Sequence, residues 1–141
     1  MGYPFFEIYS FDANILYLHN KGISYDDDNV FVNDWINYML YFLIDKNEYC
    51  INLLNNYNTV GVNYHDLKNN AKHYSGNFWW SNSDYLKNLD LLDESIVDKA
   101  IVELWLLNDS FSNDKLKYYS LHYSNINHYH EKYPSINYNT D

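Results

Sequence analysis

A histidine and a lysine stand two positions apart at the end of a short apolar run near the start of the chain. Residues 15–18 have the length and composition of a buried strand, and His19 and Lys21 follow it before Gly22. In an extended chain, residues two apart point to the same side, and glycine then allows a sharp turn. Lys21 could neutralise a phosphate, and His19 could donate to a phosphate or a sugar hydroxyl. A strand end that is polar without any ligand is the alternative.

A second candidate segment is the sequence His-Tyr-Ser-Gly-Asn-Phe-Trp-Trp at residues 73–80. Gly76 and Asn77 both tolerate unusual backbone angles, which predicts a strained loop directly before a strand. The Asn77 amide can donate and accept together, which suits a sugar hydroxyl. Trp79 and Trp80, adjacent on a strand, point to opposite faces, so we expect one in the core and the other accessible beside Asn77. An aromatic core strand without a ligand is the alternative.

Two further groups carry weaker signals. Glu103 lies among apolar residues late in a predicted helix, where it is either a solvated surface carboxylate or an acid in a cleft. His128 and His130 lie two positions apart beside Glu131. Metal ligation needs further partners, and no tight spacing of ligands is present, so surface histidines are favoured and no metal site is predicted.

The predicted elements would gather several of these residues. Apolar periodicity predicts strands over residues 15–18, 59–63, 78–80 and 118–123, and helices over residues 30–44, 47–56, 84–89 and 95–107. This alternation favours an α/β fold with a mixed sheet covered by helices, in a single domain over residues 1–141 with a loose tail at 134–141. Ligands of such sheets bind at the carboxyl ends of strands, where we expect His19, Asn63 and the loop before Asn77.

The amino-acid composition limits which kinds of molecule we expect the protein to bind. Hydrophobic residues make up 47% of the 141, which is typical of a folded domain. The net charge is -10 and arginine is absent, so nucleic acid is excluded as an expected partner. Seventeen tyrosines suit stacking on sugar rings, although a coding genome rich in A and T is the favoured explanation for them.

The compartment is predicted from what the sequence lacks. No apolar run approaches the ~20 residues of a membrane span, and residues 1–4 do not resemble the start of a signal peptide. Cys50 is the single cysteine, which excludes an internal disulfide, and it is expected to be buried. We therefore expect a cytoplasmic protein without a membrane span.

Taken together, these segments resemble a family of glycosyltransferases found in bacteria and large DNA viruses. The segment at residues 73–80 is the most specific, and the others are weak individually. In chain order, the matching segments are Tyr-Leu-His-x-Lys-Gly at 17–22, Asp34-Trp35 with Tyr38-Met39, residues 60–63, residues 73–80, Glu103 with Trp105, and Asn127-His128-Tyr129 near Tyr133-Pro134.

The resemblance implies a GT-A-like fold that transfers a sugar from a nucleotide donor to the hydroxyl of a glycan acceptor. It implies catalytic roles for Glu103, as the base that takes the acceptor proton, and for His19 and Lys21 at the departing diphosphate. The substrate-binding residues that it implies are His73, Ser75, Gly76, Asn77, Trp79, Trp80, Asn63 and His128. Such a strand usually ends in Asp-x-Asp with a divalent metal. This one ends in His19-Asn20-Lys21, so dependence on Mn²⁺ or Mg²⁺ is left open.

The resemblance covers the C-terminal two-thirds of a GT-A-like enzyme, because such folds normally open with a nucleotide-binding strand–helix–strand unit. We therefore expect the chain alone to bind nucleotide sugar weakly or not at all, since that unit supplies most contacts to the nucleoside. Loss of a sheet edge would also favour self-association or a partner chain that completes the fold. The alternatives to a transferase, or a remnant of one, are a non-catalytic carbohydrate-binding protein and an interaction protein on the same fold.

Overall fold

The strands and helices of the chain alternate as an α/β protein. The computed structural model describes residues 12–19, 29–67, 71–89, 99–108 and 117–140. The strands in it are β1 (Asn14–Tyr17), β2 (Thr59–Gly61), β3 (Tyr64–Leu67), β4 (Ala71–Tyr74), β5 (Trp79–Asn82) and β6 (Tyr118–Ser120). The helices in it are α1 (Val30–Leu40), α2 (Asn47–Leu53), α3 (Ser83–Lys87) and α4 (Lys99–Leu104), with a π-helical turn at Tyr41–Asp45 and a 3₁₀ turn at Ser135–Asn137.

Four of these strands form a mixed sheet in the order β1-β5-β2-β6. β5 is antiparallel to both of its neighbours, and β6 is parallel to β2. Trp79 at the start of β5 lies opposite Tyr17 on one side and Gly61 on the other. The ends of β1, β2 and β6 therefore meet the beginning of β5, and we call this side the carboxyl end of the sheet.

A two-stranded antiparallel hairpin, β3–β4, is inserted at the carboxyl end of the sheet. It begins directly after Asn63 and ends directly before Ser75, and the N–H of Ser75 donates to the carbonyl of Asn63 at 3.0 Å. The sequence does not predict these two strands, because neither carries a run of β-branched side chains.

Helix α1 begins where its sequence predicts. The side chain of Asn29 accepts from the N–H groups of Phe31 and Val32, as an N-cap should. The buried residues of the helix recur at helical spacing and are Val32, Trp35, Tyr38 and Met39. The predicted helix over 30–44 ends differently, because its last residues form the π-helical turn, whose Leu43 carbonyl accepts from the indole N–H of Trp80 at 2.8 Å.

Two buried clusters lie on opposite faces of the sheet. The α1 cluster contains Trp35, Tyr38, Met39, Leu43, Val60, Val62 and Phe78, and Trp80 packs against it. The α3 cluster contains Tyr17, Tyr74, Trp79, Tyr85, Leu86, Leu106 and Leu107. Both clusters include residues of helices or of the turns next to them, so the predicted mixed sheet with helices packed against it is confirmed.

The end of the described chain packs against the α1 cluster. Tyr138 is 9% exposed and meets the rings of Tyr38 and Tyr41 edge to face, at centroid distances of 5.2 and 5.1 Å. Within the tail expected to be loose at 134–141, Tyr138 is therefore anchored in the core, whereas Ile136 is 88% exposed. The physical reason is the area of a tyrosine ring, whose burial offsets the entropy of ordering a short segment.

Among the described residues, every helix is too short or too polar to cross a lipid bilayer.

Candidate functional site

The carboxyl end of the sheet joins the two segments that the sequence analysis ranked first. His19 follows β1, and its Nε2 lies 3.0 Å from the carbonyl oxygen of Gly76 in the loop before β5. Because a carbonyl oxygen only accepts, the proton of this contact belongs to Nε2. The half-buried His19 ring also meets the edge of Phe78 at 5.0 Å. His19 is thus held against the loop that was expected to face a sugar.

The loop before β5 is shaped by packing. Gly76 and Asn77 have φ angles of +92° and 57°, which confirms the strained loop expected there. A Cβ at Gly76 would lie 2.5 Å from the sulfur of Met39 and 3.2 Å from the ring of Trp35. Glycine is therefore required at this position by helix α1 as well as by its own backbone angle.

The Asn77 side chain is used inside the protein. It is 8% exposed, and its Oδ1 accepts from the indole Nε1 of Trp79 at 3.0 Å. Trp79 is 1% exposed whereas Trp80 is half-buried, so the expected difference between the two rings is confirmed. The ring that is hydrogen-bonded to Asn77 is the buried Trp79, whereas the accessible Trp80 donates to the carbonyl of Leu43.

Asn63 and Ser124 form a second polar contact near this end of the sheet. Asn63 is 3% exposed with a φ of 51°. Its Oδ1 accepts from the backbone N–H of Ser124 at 2.8 Å, and its Nδ2 donates to Ser124 Oγ at 3.1 Å. These bonds tie the end of β2 to the segment after β6.

Ser124 also contacts a histidine. Its Oγ lies 2.8 Å from Nε2 of His128, a residue that is 4% exposed. The His128 ring stacks on Trp35 and Tyr38, with centroids 5.4 and 5.0 Å away. Ser124 was not predicted from the sequence. Outside helices and strands, no local sequence pattern indicates that a serine contacts a histidine four residues later. His128 is part of the packed interior, so the interpretation of it as a surface histidine is wrong.

The electrostatics of this network favour neutral groups. Burial lowers the pKa of His128, against the opposing effect of Asp34 and Glu131, and burial also lowers the pKa of His122. Burial raises the pKa of Tyr38, whose hydroxyl lies 2.8 Å from Nδ1 of His122. These groups are therefore uncharged near neutral pH. A neutral histidine beside a serine hydroxyl can accept a proton, but Ser124 is 7% exposed, which suits an internal brace.

The remaining predicted site residues are distributed around this region. His73 and Ser75 are half-buried at the end of the hairpin, and His73 Nδ1 contacts the carbonyl of Ala71 at 2.9 Å. Glu103 is half-buried on α4, and the turn after α4 places Leu106 and Leu107 in the α3 cluster.

Two of the expected residues, Glu103 and His128, lie on opposite faces of the sheet. Helix α4, which carries Glu103, lies on the Trp79 face of the sheet, whereas His128 packs against α1 on the opposite face. The structure does not bring these two side chains together. Lys21 lies outside the described residues.

The described residues contain no group of three or more histidine, cysteine, aspartate or glutamate side chains placed to hold a metal ion.

Comparisons of the chain with protein-family models, with curated proteins and with solved structures give no match in any of the three.

Proposed function

We propose that the chain acts in the transfer of a sugar from a nucleotide donor to an acceptor hydroxyl, on a GT-A-like fold, with the carboxyl end of the sheet facing the substrates. The observation that carries this proposal is the 3.0 Å contact between His19 and Gly76, which are 57 residues apart in the chain. Each belongs to a segment that resembles glycosyltransferases, and the segment of Gly76 is the most specific of them. The two segments contact each other at the carboxyl end of the sheet. Because ligands of α/β sheets bind at the carboxyl ends of strands, this contact supports a shared site.

The resemblance to glycosyltransferases suggests the role of each residue. His19 is oriented by a backbone carbonyl, and it would donate to a donor phosphate or a sugar hydroxyl. Lys21 would supply the positive charge that the departing diphosphate requires in a chain without arginine. Glu103 would act as the base that takes the acceptor proton.

Buried residues of the same segments would support this site indirectly. Asn63, Asn77 and Gly76 are buried, and their polar or backbone groups form internal contacts. Their part in the proposed reaction is to fix the loops that carry His19 and its neighbours. Precise positioning of this kind contributes to catalysis because small displacements of a reacting group are costly.

Carbohydrate binding without catalysis is the second candidate, and one observation favours it. Tyr118 is 38% exposed and stacks on Tyr64 with ring centroids 3.8 Å apart, and Tyr123 nearby in sequence is 47% exposed. Exposed tyrosine faces of this kind suit the C–H groups of sugar rings. Such a surface needs neither a nucleotide nor a catalytic base.

Saturation-transfer NMR with the full chain separates the two candidates, because this method detects weak ligands. The ligands are uridine and guanosine diphosphate sugars, with and without Mn²⁺, and free oligosaccharides. For a transferase we expect saturation of both the nucleotide and the sugar protons, which His19→Ala removes and Tyr118→Ala leaves unchanged. Release of nucleoside diphosphate in the presence of an acceptor would then measure transfer itself.

The opposite pattern supports the second candidate. A signal from oligosaccharides that Tyr118→Ala removes, with no signal from any nucleotide sugar, would indicate a carbohydrate-binding protein. A chain that shows neither signal while remaining folded by circular dichroism would contradict both proposals.

A further inference from the structure

Two histidines face each other across the β3–β4 hairpin. His65 on β3 is the register partner of His73 on β4, and their ring centroids are 5.8 Å apart with planes inclined at 40°. The neighbouring Lys72 directs its N–H and carbonyl outward to Asn108, so the His65–His73 pair is one whose backbone groups bond across the hairpin. Side chains of such a pair share one face and lie within reach of each other.

The orientation of the His73 ring leaves one ring nitrogen available to bind a metal ion. Its Nδ1 lies 2.9 Å from the carbonyl oxygen of Ala71. A carbonyl only accepts, so Nδ1 carries the proton, and the lone pair of the neutral ring lies on Nε2. Metal-binding histidines are commonly held in this way, with one ring nitrogen donating to a backbone carbonyl and the other bound to the ion.

His65 supplies the second ring of the pair. Its side chain is exposed, so an ion can reach the pair from solvent. Coordination requires each ring in its neutral form.

The hairpin that carries the two rings is anchored on both strands. The Asn108 side chain accepts from the Lys72 N–H at 3.0 Å and donates to the Lys72 carbonyl at 2.7 Å. On β3, Tyr64 stacks on Tyr118 at a centroid distance of 3.8 Å. Anchoring of this kind lowers the entropy lost when two side chains bind one ion.

We propose that His65 and His73 form a surface site for a divalent transition metal ion such as Zn²⁺, with water in the remaining coordination positions. A tetrahedral ion bound to both Nε2 atoms at about 2.1 Å would hold the ring centres roughly 5 Å apart, so small side-chain rotations from the observed spacing suffice. Imidazole ligands favour zinc, nickel and copper, whereas Mg²⁺ and Ca²⁺ prefer oxygen. The net charge of -10 also attracts cations. This site does not depend on the proposed transferase function.

Calorimetric titration of the full chain with ZnCl₂ near neutral pH tests the site. We expect one equivalent to bind, and His65→Gln or His73→Gln each to weaken binding by about tenfold or more. His130→Gln is the matched control, because His130 is an exposed histidine outside the hairpin, and it should leave the affinity unchanged. Equal titration of the wild type and the doubly substituted chain would overturn the proposal.

Two further measurements keep the test decisive. Titration with MgCl₂ at the same concentrations should give no binding, and equal binding of Mg²⁺ and Zn²⁺ would rule out imidazole coordination. Substitution with Co²⁺ should produce visible absorption bands that both hairpin variants lose. If His73→Gln proves unfolded by circular dichroism, the exposed His65→Gln decides the outcome, since retained zinc binding in that variant would also overturn the site.

Discussion

The indole Nε1 of Trp79 donates a hydrogen bond of 3.0 Å to the side-chain oxygen of Asn77, and both residues are buried. The bond spans only two positions of the chain, and it is made while the backbone of Asn77 holds a φ of 57°. An amide that could have faced a sugar therefore orients a core tryptophan at the carboxyl end of the sheet.

A double-mutant cycle measures this bond. Asn77→Gly keeps the positive φ accessible while removing the amide, and Trp79→Phe removes the N–H while keeping an aromatic ring. We expect a coupling free energy of about 1–2 kcal/mol from urea unfolding of the two single variants and the double variant. The control cycle pairs Asn77→Gly with Trp80→Phe, whose effects should add because Trp80 donates to Leu43 instead. Additivity in the first cycle would contradict the bond.

The two tryptophans should differ in their contribution to the free energy of unfolding. Trp79→Ala removes a ring that is 1% exposed, and it should destabilise the fold by about 3–5 kcal/mol. Trp80→Ala should cost less, because that ring is half-buried. Thermal unfolding of the two variants is the measurement, and equal shifts in melting temperature would argue against the strand and its two faces.

Gly76 should tolerate no side chain. Gly76→Ala places a Cβ 2.5 Å from the sulfur of Met39, at a φ of +92° that L-residues rarely adopt. We expect a loss of about 2 kcal/mol or more in the free energy of unfolding, from overpacking and backbone strain together. The neighbouring Ser75→Ala is the matched control and should stay within about 1 kcal/mol of wild type. Unchanged stability of Gly76→Ala would contradict the packing of this loop on α1.

Stability should fall as the pH is lowered below the ordinary histidine pKa of 6.5. Burial lowers the pKa of His122 and His128 in the folded chain, so the unfolded chain binds more protons as the pH drops. Their contribution is fully present above 6.5 and is lost as the pH falls through the folded pKa values. Urea midpoints between about pH 5 and pH 8 should show this decline, with a shallower slope for His128→Gln. The control variant His130→Gln changes an exposed histidine and should keep the wild-type slope. If the wild type and both variants share one slope, His128 does not contribute to the dependence of stability on pH.

Cys50 should be unreactive in the folded chain. It is fully buried, its thiol contacts the carbonyl of Phe42 at 3.2 Å, and burial raises the thiol pKa to about 12. The thiolate is the reactive form, so an aromatic disulfide reagent should modify Cys50 only after denaturation. Rapid modification of the native protein would show that α2 does not bury this residue.

Local sequence patterns were enough to predict much of the α/β framework. The spacing of apolar residues predicted α1 and the strands β1, β2, β5 and β6, because side chains on one face of a helix or strand recur at a fixed period. The predicted helix over 95–107 begins outside the described residues, which include its part from residue 99 onward. Positive φ angles at Gly76 and Asn77 were likewise predicted from residue type, since these angles depend on the residue's own side chain.

The destination of each polar side chain was decided by tertiary structure. Asn63 meets Ser124 across 61 residues, and Asp34 accepts from the N–H of Tyr133 across 99. No local periodicity encodes such partners, because they depend on which segments the sheet order brings together. His19, Asn63 and Asn77 were expected near one end of the sheet and lie there, yet Asn63 and Asn77 are buried and bonded internally. A buried amide must find a partner within the protein, and packing across the whole chain determines which amides are buried.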